Sequence, residues 1–247
     1  GQIYVPQIPH ILYGLLEPVV VPVRTPLGGA FHPKLWALRF VGEGKKPVFR
    51  VVVLSRNLTH DRSWDVALAT EGVPTGRRWR SNEGLRDLVA GLPDMNPRTP
   101  TAIRKKVLQL AEQLHSAEWQ CPEGIDEMRF SSLGFSGKGW TPQESQKLAV
   151  ISPFVSAKAL QQLAKSTRDP VLLVSRPEEL DKLDPPARRV FPQCFSLREA
   201  AETEDGEDLS QESNVLRGLH AKVYISQDGR DTTSTMGSAN ATRAALV

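Results

Sequence analysis

One short pattern of polar residues occurs twice in the chain, once near each end. Each copy begins with a His and a Lys two residues later. These are followed by an apolar run, a turn, a second run and a Ser-x-Asn triplet. The first copy reads FHPKLWALRF and then VVVLSRNLT, and the second reads LHAKVYIS and then MGSANAT. A chance match of four polar identities in one order, twice, is improbable, so we expect two related halves.

The repeated residues fall into two equivalent sets. They are His32, Lys34, Ser55 and Asn57 in the first copy, and His220, Lys222, Ser238 and Asn240 in the second. Alternation along a strand places the His and the Lys of one copy on the same face. In an antiparallel hairpin, the end that carries the His adjoins the end that carries the Ser and the Asn. We therefore expect the two sets to face each other across one site.

These residue types suit the cleavage of a phosphodiester. A neutral imidazole can attack phosphorus and form a covalent phosphohistidine. A second imidazole on the far side can protonate the leaving oxygen and later activate water. Lysine and asparagine side chains donate hydrogen bonds to the non-bridging oxygens, where charge is held in the transition state. The sets do not form a ligand cluster for a divalent cation, so we expect no metal and no cofactor.

The rest of the sequence predicts an α/β protein. The predicted strands are 19–23, 34–41, 48–55, 65–72, 128–133, 147–156, 170–175, 220–226 and 232–238. The predicted helices are 85–92, 101–116 and 157–165, with a further helix beginning at 241. The strand–helix–strand order from residue 147 to residue 175 indicates a parallel unit with a crossover helix. Residues 199–214 are acidic and poor in apolar residues, so they are predicted to form a surface loop.

The composition of the chain bears on its binding partners and on its location in the cell. The chain has 247 residues and a formal net charge of +3, which permits a polyanionic partner without requiring one. Cys121 and Cys194 lie far apart without metal-ligand spacing, which favours a reducing, cytoplasmic location. The sequence contains no apolar run of the length that a membrane span needs.

The repeated motifs resemble those of the phospholipase D superfamily, whose signature is His-x-Lys followed by a later Gly-Ser-x-Asn. The resemblance implies a pseudo-dimer of two α/β halves, with mixed sheets flanked by helices and the active site between the halves. The halves would be residues 1–146, with a helical insertion, and residues 147–247. By this resemblance His32 is the nucleophile and His220 is the general acid. The phosphate clamp is then formed by Lys34, Lys222, Asn57 and Asn240.

The chain departs from the family pattern in both copies. The Asp that usually follows His-x-Lys is replaced by Arg39 in the first copy and by Gln227 in the second. The Gly before the Ser is kept as Gly237 but replaced by Leu54 in the first copy. Loss of the Asp resembles the tyrosyl-DNA phosphodiesterase branch, which uses His, Lys and Asn in each half. It also weakens the case for a lipid enzyme.

Residues beside the motifs are candidates for supporting roles. Ser55 and Ser238 either contact phosphate or cap the ends of strands. Arg56 either contacts phosphate or points to solvent. In the family an acidic residue after the Asn orients the partner His, and Asp65 fits that place. Trp64 either stacks on a base or packs in the core.

Three functions are compatible with the sequence. The first is a metal-independent nuclease or end-processing phosphodiesterase that acts on nucleic acid, with DNA as the expected substrate and partner. The second is a phospholipase or phosphatidyltransferase, although no amphipathic helix with aromatic anchors is evident in the sequence. The third is an inactive module that binds phosphate backbones. The second half lacks a counterpart of Asp65, and the first has little room before residue 19. We therefore expect the chain to be part of a longer protein with further domains.

Overall fold

The computed structural model describes residues 11, 13–16, 20–25, 30–57, 63–134, 140–198 and 218–246. These residues form two open sheets flanked by helices, which confirms the predicted α/β class. Among them, no helix is both long enough and apolar enough to cross a membrane. The predicted acidic loop at 199–214 lies outside the described residues.

The first sheet has the strand order β1-β2-β3-β4. Its strands are β1 (Leu35–Phe40), β2 (Val48–Leu54), β3 (Ala67–Pro74) and β4 (Ala117–Trp119). The β-branched run of β2 places Phe49 and Val51 in the core, where both are fully buried. The N–H of Leu54 donates to the C=O of Lys34 over 2.9 Å, so the end of β2 lies beside the start of β1, as a hairpin requires.

The second sheet has the strand order β7-β6-β5-β8-β9. Its strands are β5 (Ser145–Ile151), β6 (Thr167–Val174), β7 (Gln193–Phe195), β8 (Val223–Asp228) and β9 (Asp231–Met236). The β5–β6 and β6–β7 pairs are parallel, whereas β5–β8 and β8–β9 are antiparallel. The sheet is therefore mixed. The carboxyl ends of β5 and β6 lie at the same edge as the start of β8, because Ile151 is in register with both Val174 and Val223.

Helices connect and flank these strands. They are α1 (Tyr13–Leu16), α2 (Glu83–Gly91), α3 (Thr101–His115), α4 (Ala157–Ala164), α5 (Pro177–Asp181), α6 (Pro185–Arg188) and α7 (Arg243–Leu246). Helix α4 connects the parallel strands β5 and β6, which confirms the predicted strand–helix–strand unit. Its buried side chains, Ala159, Leu160 and Leu163, lie on one face of the helix, and the opposite face carries its polar residues.

The chain divides into two compact units. The first is drawn from Gly1–His32, Ala37–Arg50 and Thr70–Phe135, and the second from Pro33–Trp36, Val51–Ala69 and Ser136–Val247. Strands β1, β2 and β3 each contribute residues to both units. As a result Lys34, Ser55, Asn57 and Asp65 belong to the second unit, together with the whole second motif.

The core of the first unit is formed around α2 and α3, with Leu85, Val89 and Leu114 buried. Asn82, which is 1% exposed, closes the end of α3. Its Nδ2 donates to the C=O groups of Leu114, His115 and Ala117 over 3.1, 3.2 and 2.7 Å. The last carbonyls of a helix have no partner within the helix, so this side chain supplies the missing donors.

Three predicted strands differ from the observed structure. Residues 20–23 of the predicted strand 19–23 are not a strand. Residues 128–133 are not a strand either, and Phe130 instead donates its N–H to the C=O of Ser81. This segment approaches α2 so closely that a Cβ on Gly84 would lie 2.4 Å from the Phe130 oxygen. The predicted strand 220–226 begins only at Val223, because the N–H groups of His220 and Ala221 bond to Trp64.

Candidate functional site

The two motif lysines occupy equivalent places in the fold. Lys34 directly precedes β1 and Lys222 directly precedes β8. In each copy the residue before the motif Ser donates its N–H to the C=O of the motif Lys: Leu54 to Lys34 over 2.9 Å, and Gly237 to Lys222 over 3.4 Å. Both lysines are buried, at 8% and 1% exposure. The sequence repeat is thus also a repeat of local structure.

The side chains of Lys222 and His220 are in direct contact. The Nζ of Lys222 lies 2.8 Å from Nδ1 of His220 and also donates to the His220 C=O over 2.7 Å. A charged ammonium donates to Nδ1, whereas a neutral amine accepts from an Nδ1–H, so the direction of this bond follows the protonation of the pair. In both cases Lys222 contacts Nδ1, and Nε2 is the nitrogen that proton transfer with a ligand would use.

Burial makes both motif lysines weak bases. It lowers the pKa of Lys34 to about 8. The pKa of Lys222 is lowered to about 7, first by burial and then by the positive charges of Lys34 and Arg176, while Asp65 opposes the shift. Lys34 and Lys222 are therefore close enough to interact electrostatically. Each can gain or lose a proton near neutral pH, and an anion placed beside them would favour the charged forms.

A short backbone link joins the residues after the first motif to the second motif. The C=O of Trp64 accepts from the N–H of His220 over 2.7 Å and from that of Ala221 over 2.9 Å. The N–H of Trp64 donates to the Gly218 C=O over 2.8 Å, and Trp64 and Leu219 form an isolated parallel bridge. The indole of Trp64 is not a core side chain, because the residue is 58% exposed. This link places Asp65 near Lys222.

Asp65 pairs with Arg56. The Nε of Arg56 donates to Oδ2 of Asp65 over 2.6 Å, and the two side chains are 16% and 29% exposed. The carboxylate of Asp65 therefore contacts a cation of its own half. Its predicted role in orienting a His, and the predicted phosphate contact of Arg56, both stay predictions.

Ser55 joins the end of β2 to the start of β3. It is fully buried, its Oγ accepts from the N–H of Val66 over 3.0 Å, and its N–H donates to the Val66 C=O over 3.0 Å. The sequence allowed Ser55 either to cap the end of a strand or to contact phosphate. These bonds show that it caps the end of β2. Asn57 and His32 are both exposed, and His32 belongs to the first compact unit. Their roles in catalysis stay predictions.

The second Ser-x-Asn triplet leaves β9 beside Lys222. The hydroxyl of Tyr224 donates to the C=O of Ala239 over 3.0 Å and thereby fixes the backbone between Ser238 and Asn240. The Oδ1 atom of Asn240 is buried and has no hydrogen-bond partner within the described part of the chain. A buried acceptor without a partner is costly, so this amide is suited to a ligand or a water molecule. Ser238 is half-buried.

The sequence reasoning missed Arg176, which follows β6 and the fully buried Ser175. Its Nε donates to the C=O of Leu219 over 2.9 Å, and its guanidinium lies 4.9 Å from the centre of the Phe154 ring. It therefore holds the residue directly before His220. A signal for it was present: VLLVSR, which ends at this Arg, repeats the pattern of VVVLSR, which ends at Arg56.

Together these side chains form a cationic group within the second unit, with Lys34, Arg56, Arg176 and Lys222 as its basic members and Asp65 as its acid. Such a group suits a ligand that carries more than one negative charge. Among the described residues, no three His, Cys, Asp or Glu side chains are arranged to hold a metal ion. No protein-family model, curated protein or solved structure matches this chain.

Proposed function

We propose that this protein is a metal-independent phosphodiesterase that cleaves nucleic acid, with DNA as the expected substrate, through a covalent phosphohistidine. The observation that carries the proposal is the 2.8 Å contact between Nζ of Lys222 and Nδ1 of His220, with Lys222 only 1% exposed. A lysine buried to this degree loses hydration, and an anionic substrate would compensate for that loss.

The equivalent backbone bonds at Lys34 and Lys222 support a phospholipase D-like organisation. In this proposal the two halves form a pseudo-dimer with the active site between them. Each half contributes a His, a Lys and an Asn to the reaction. The two lysines hold the non-bridging oxygens of the scissile phosphate, where negative charge is greatest in the transition state.

His220 acts as the general acid in this scheme. As the acid its ring is the imidazolium: Nδ1–H donates to the neutral amine of Lys222, and Nε2–H gives the leaving oxygen its proton, which leaves a neutral ring. The N–H of His220 is held by Trp64, and Arg176 holds the C=O of Leu219 next to it. The backbone on both sides of the imidazole is therefore fixed.

His32 acts as the nucleophile, as the family resemblance implies. A ring nitrogen forms a bond to phosphorus while the bond to the leaving oxygen breaks, and His220 gives that oxygen its proton. Water then attacks the phosphohistidine, His220 takes a proton from this water, and the bond to His32 breaks. No electrons are exchanged with a further reactant, and both histidines return to their starting states.

Two features favour nucleic acid as the substrate. The cationic group can neutralise more than one phosphate, as a polynucleotide backbone requires. Trp64 directly precedes Asp65, its C=O accepts from the N–H of His220, and the residue is 58% exposed, so its indole is available for a base to stack on. Proteins that bind single-stranded nucleic acid combine a basic phosphate site with aromatic side chains on which bases stack.

A substrate panel in EDTA tests the proposal. The panel contains single-stranded DNA, duplex DNA, RNA, a 3′-tyrosyl oligonucleotide, phosphatidylcholine vesicles and bis(p-nitrophenyl) phosphate. We expect cleavage of the small diester and of at least one DNA substrate. Cleavage of the vesicles alone would favour the phospholipase, and binding of DNA without cleavage of any substrate would favour an inactive module.

A further inference from the structure

A second basic feature of the same unit lies on the solvent face of α4. A cavity of about 410 Å³ is lined by Lys158, Gln161, Gln162, Lys165 and Arg243. Four of these residues, at positions 158, 161, 162 and 165, are spaced as one face of α4 and its C-terminal end. The buried Leu160 and Leu163 lie on the opposite face. The lining thus combines cationic donors with amide donors and contains no carboxylate.

The three cations of this cavity have no acidic partner within the part of the chain that the structure describes. Within the described residues, no ion pair uses Lys158, Lys165 or Arg243. Lys158, Lys165 and Arg243 are all exposed, so their charges face solvent. Three like charges around one concave surface raise the local concentration of an anion.

A rigid segment connects the cavity to the second motif. Ala241 follows Asn240, and its N–H donates to Oγ of the fully buried Ser152 over 2.9 Å, while its C=O accepts from Ser156 over 3.0 Å. The N–H of Arg243 then donates to Oγ of Ser156 over 3.0 Å. Arg243 is three positions after Asn240, so their Cα atoms are at most about 10 Å apart.

We infer that this cavity, defined by Lys158, Lys165 and Arg243, binds the phosphate backbone of a nucleic-acid substrate beyond the scissile phosphate, an inference that rests on the proposed function. A strand carries one charge per about 3.4 Å of helix axis, so a distance of at most about 10 Å is spanned by no more than roughly three phosphates. The cavity therefore acts on substrates that carry further phosphates next to the cleaved bond, and a dinucleotide, whose single phosphate is the scissile one, does not engage it.

The matched variants each remove three exposed cationic charges from the second unit. The cavity variant carries Lys158→Gln, Lys165→Gln and Arg243→Gln. The control carries Lys147→Gln, Arg168→Gln and Arg230→Gln, whose exposed cations lie near the start of β5, the start of β6 and the β8–β9 turn. That edge is opposite to the one where β8 begins at Val223. Thermal unfolding of both variants checks that they fold, and single Lys158→Gln provides a milder test.

Two quantities are measured. The first is the affinity for a single-stranded decanucleotide as a function of salt concentration. The second is kcat/KM for that decanucleotide, for a dinucleotide and for bis(p-nitrophenyl) phosphate. For the cavity variant we expect the slope of log K against log salt to fall in magnitude by about 2, and decanucleotide affinity to fall roughly tenfold or more. The loss in kcat/KM for the decanucleotide should exceed that for the dinucleotide at least tenfold. The control should keep its salt slope.

The outcomes separate this inference from the proposed function. An unchanged salt slope in the cavity variant would overturn the inference, as would an equal loss in the control or an equal loss on the dinucleotide. If the wild-type protein cleaves the small diester but binds no oligonucleotide, the inference fails and the chemistry stands. If it binds DNA through the cavity yet cleaves nothing, the inference stands and the proposed function fails.

Discussion

The Nζ of Lys222 lies 2.8 Å from Nδ1 of His220, and the same Nζ donates to the His220 C=O over 2.7 Å. The lysine thus holds both the ring and the backbone of the residue that the proposal makes the general acid. His220 and Lys222 both precede β8, which begins at Val223, so they do not lie on a regular strand. Their backbone is held instead by the bonds from the N–H groups of His220 and Ala221 to the C=O of Trp64.

Replacement of Lys222 should impair proton donation more than substrate binding. We expect Lys222→Met to lower kcat/KM roughly 10²- to 10⁴-fold for a diester with an alkyl leaving group. The loss should be smaller for bis(p-nitrophenyl) phosphate, whose leaving group needs no proton. Steady-state kinetics with both diesters measures this difference, and Lys147→Met is the control because Lys147 is exposed on the far edge of the sheet. Equal losses on both diesters would contradict a role in proton donation.

Protein stability should rise with pH because of the same lysine. Burial lowers the pKa of Lys222 to about 7, whereas an unfolded lysine titrates near 10.5. Between these values the unfolded chain binds more protons than the folded one, so the free energy of unfolding increases with pH. The cost of burying the charged lysine is absent above about 10.5, grows as the pH falls towards about 7 and is constant below that value. Urea unfolding at several pH values should give wild type a slope up to about 1.4 kcal/mol per pH unit steeper than that of Lys222→Met. Parallel pH curves would show that the lysine is not desolvated.

Binding of an anion should be accompanied by uptake of protons. The pKa values of Lys34 and Lys222 are about 8 and about 7, so both side chains are partly neutral at pH 8. A bound phosphate favours their charged forms and draws protons from the buffer. Calorimetry of phosphate binding in buffers with different ionisation enthalpies measures this uptake. Lys222→Met should take up fewer protons, and binding without proton exchange would count against the lysine pair as the anion site.

Arg176 should act as a positioning residue through its charge and through its bond to Leu219. Its charge lowers the pKa of Lys222, so Arg176→Gln should move the pH–rate limb that depends on this lysine to higher pH. Arg176→Lys keeps the charge but loses the planar contact with Phe154 and the Nε bond. We expect this variant to keep the pH limb and to lose kcat. Two variants with the same pH profile would indicate a structural role alone.

The sequence predicted the parts of the fold whose signal is local. The β-branched run before Ser55, the run before Ser175 and the amphipathic α4 were each confirmed. The short strands β4 and β7 were not predicted, because three residues give too little periodicity to recognise.

The candidate site depended on contacts that no local pattern encodes. The repeat identified Lys34 and Lys222, whose equivalent backbone bonds the structure shows. The pairing of Trp64 with residues 218–221, and the bond from Arg176 to Leu219, join segments that are far apart in sequence. Long-range pairing of this kind is decided by packing, which explains why Arg176 was missed.

The central claim is that cleavage passes through a phosphohistidine on His32. The most direct test mixes the protein with an excess of a labelled aryl phosphodiester in EDTA. The reaction is then quenched rapidly without acid, and the peptides are analysed by mass spectrometry. We predict one aryl-phosphoryl adduct on His32, formed with release of one aryl alcohol, absent from His32→Ala and longer-lived in His220→Ala, because hydrolysis of the adduct needs the second histidine. Full cleavage activity in His32→Ala, or an adduct on any other residue in an active enzyme, would contradict the proposal.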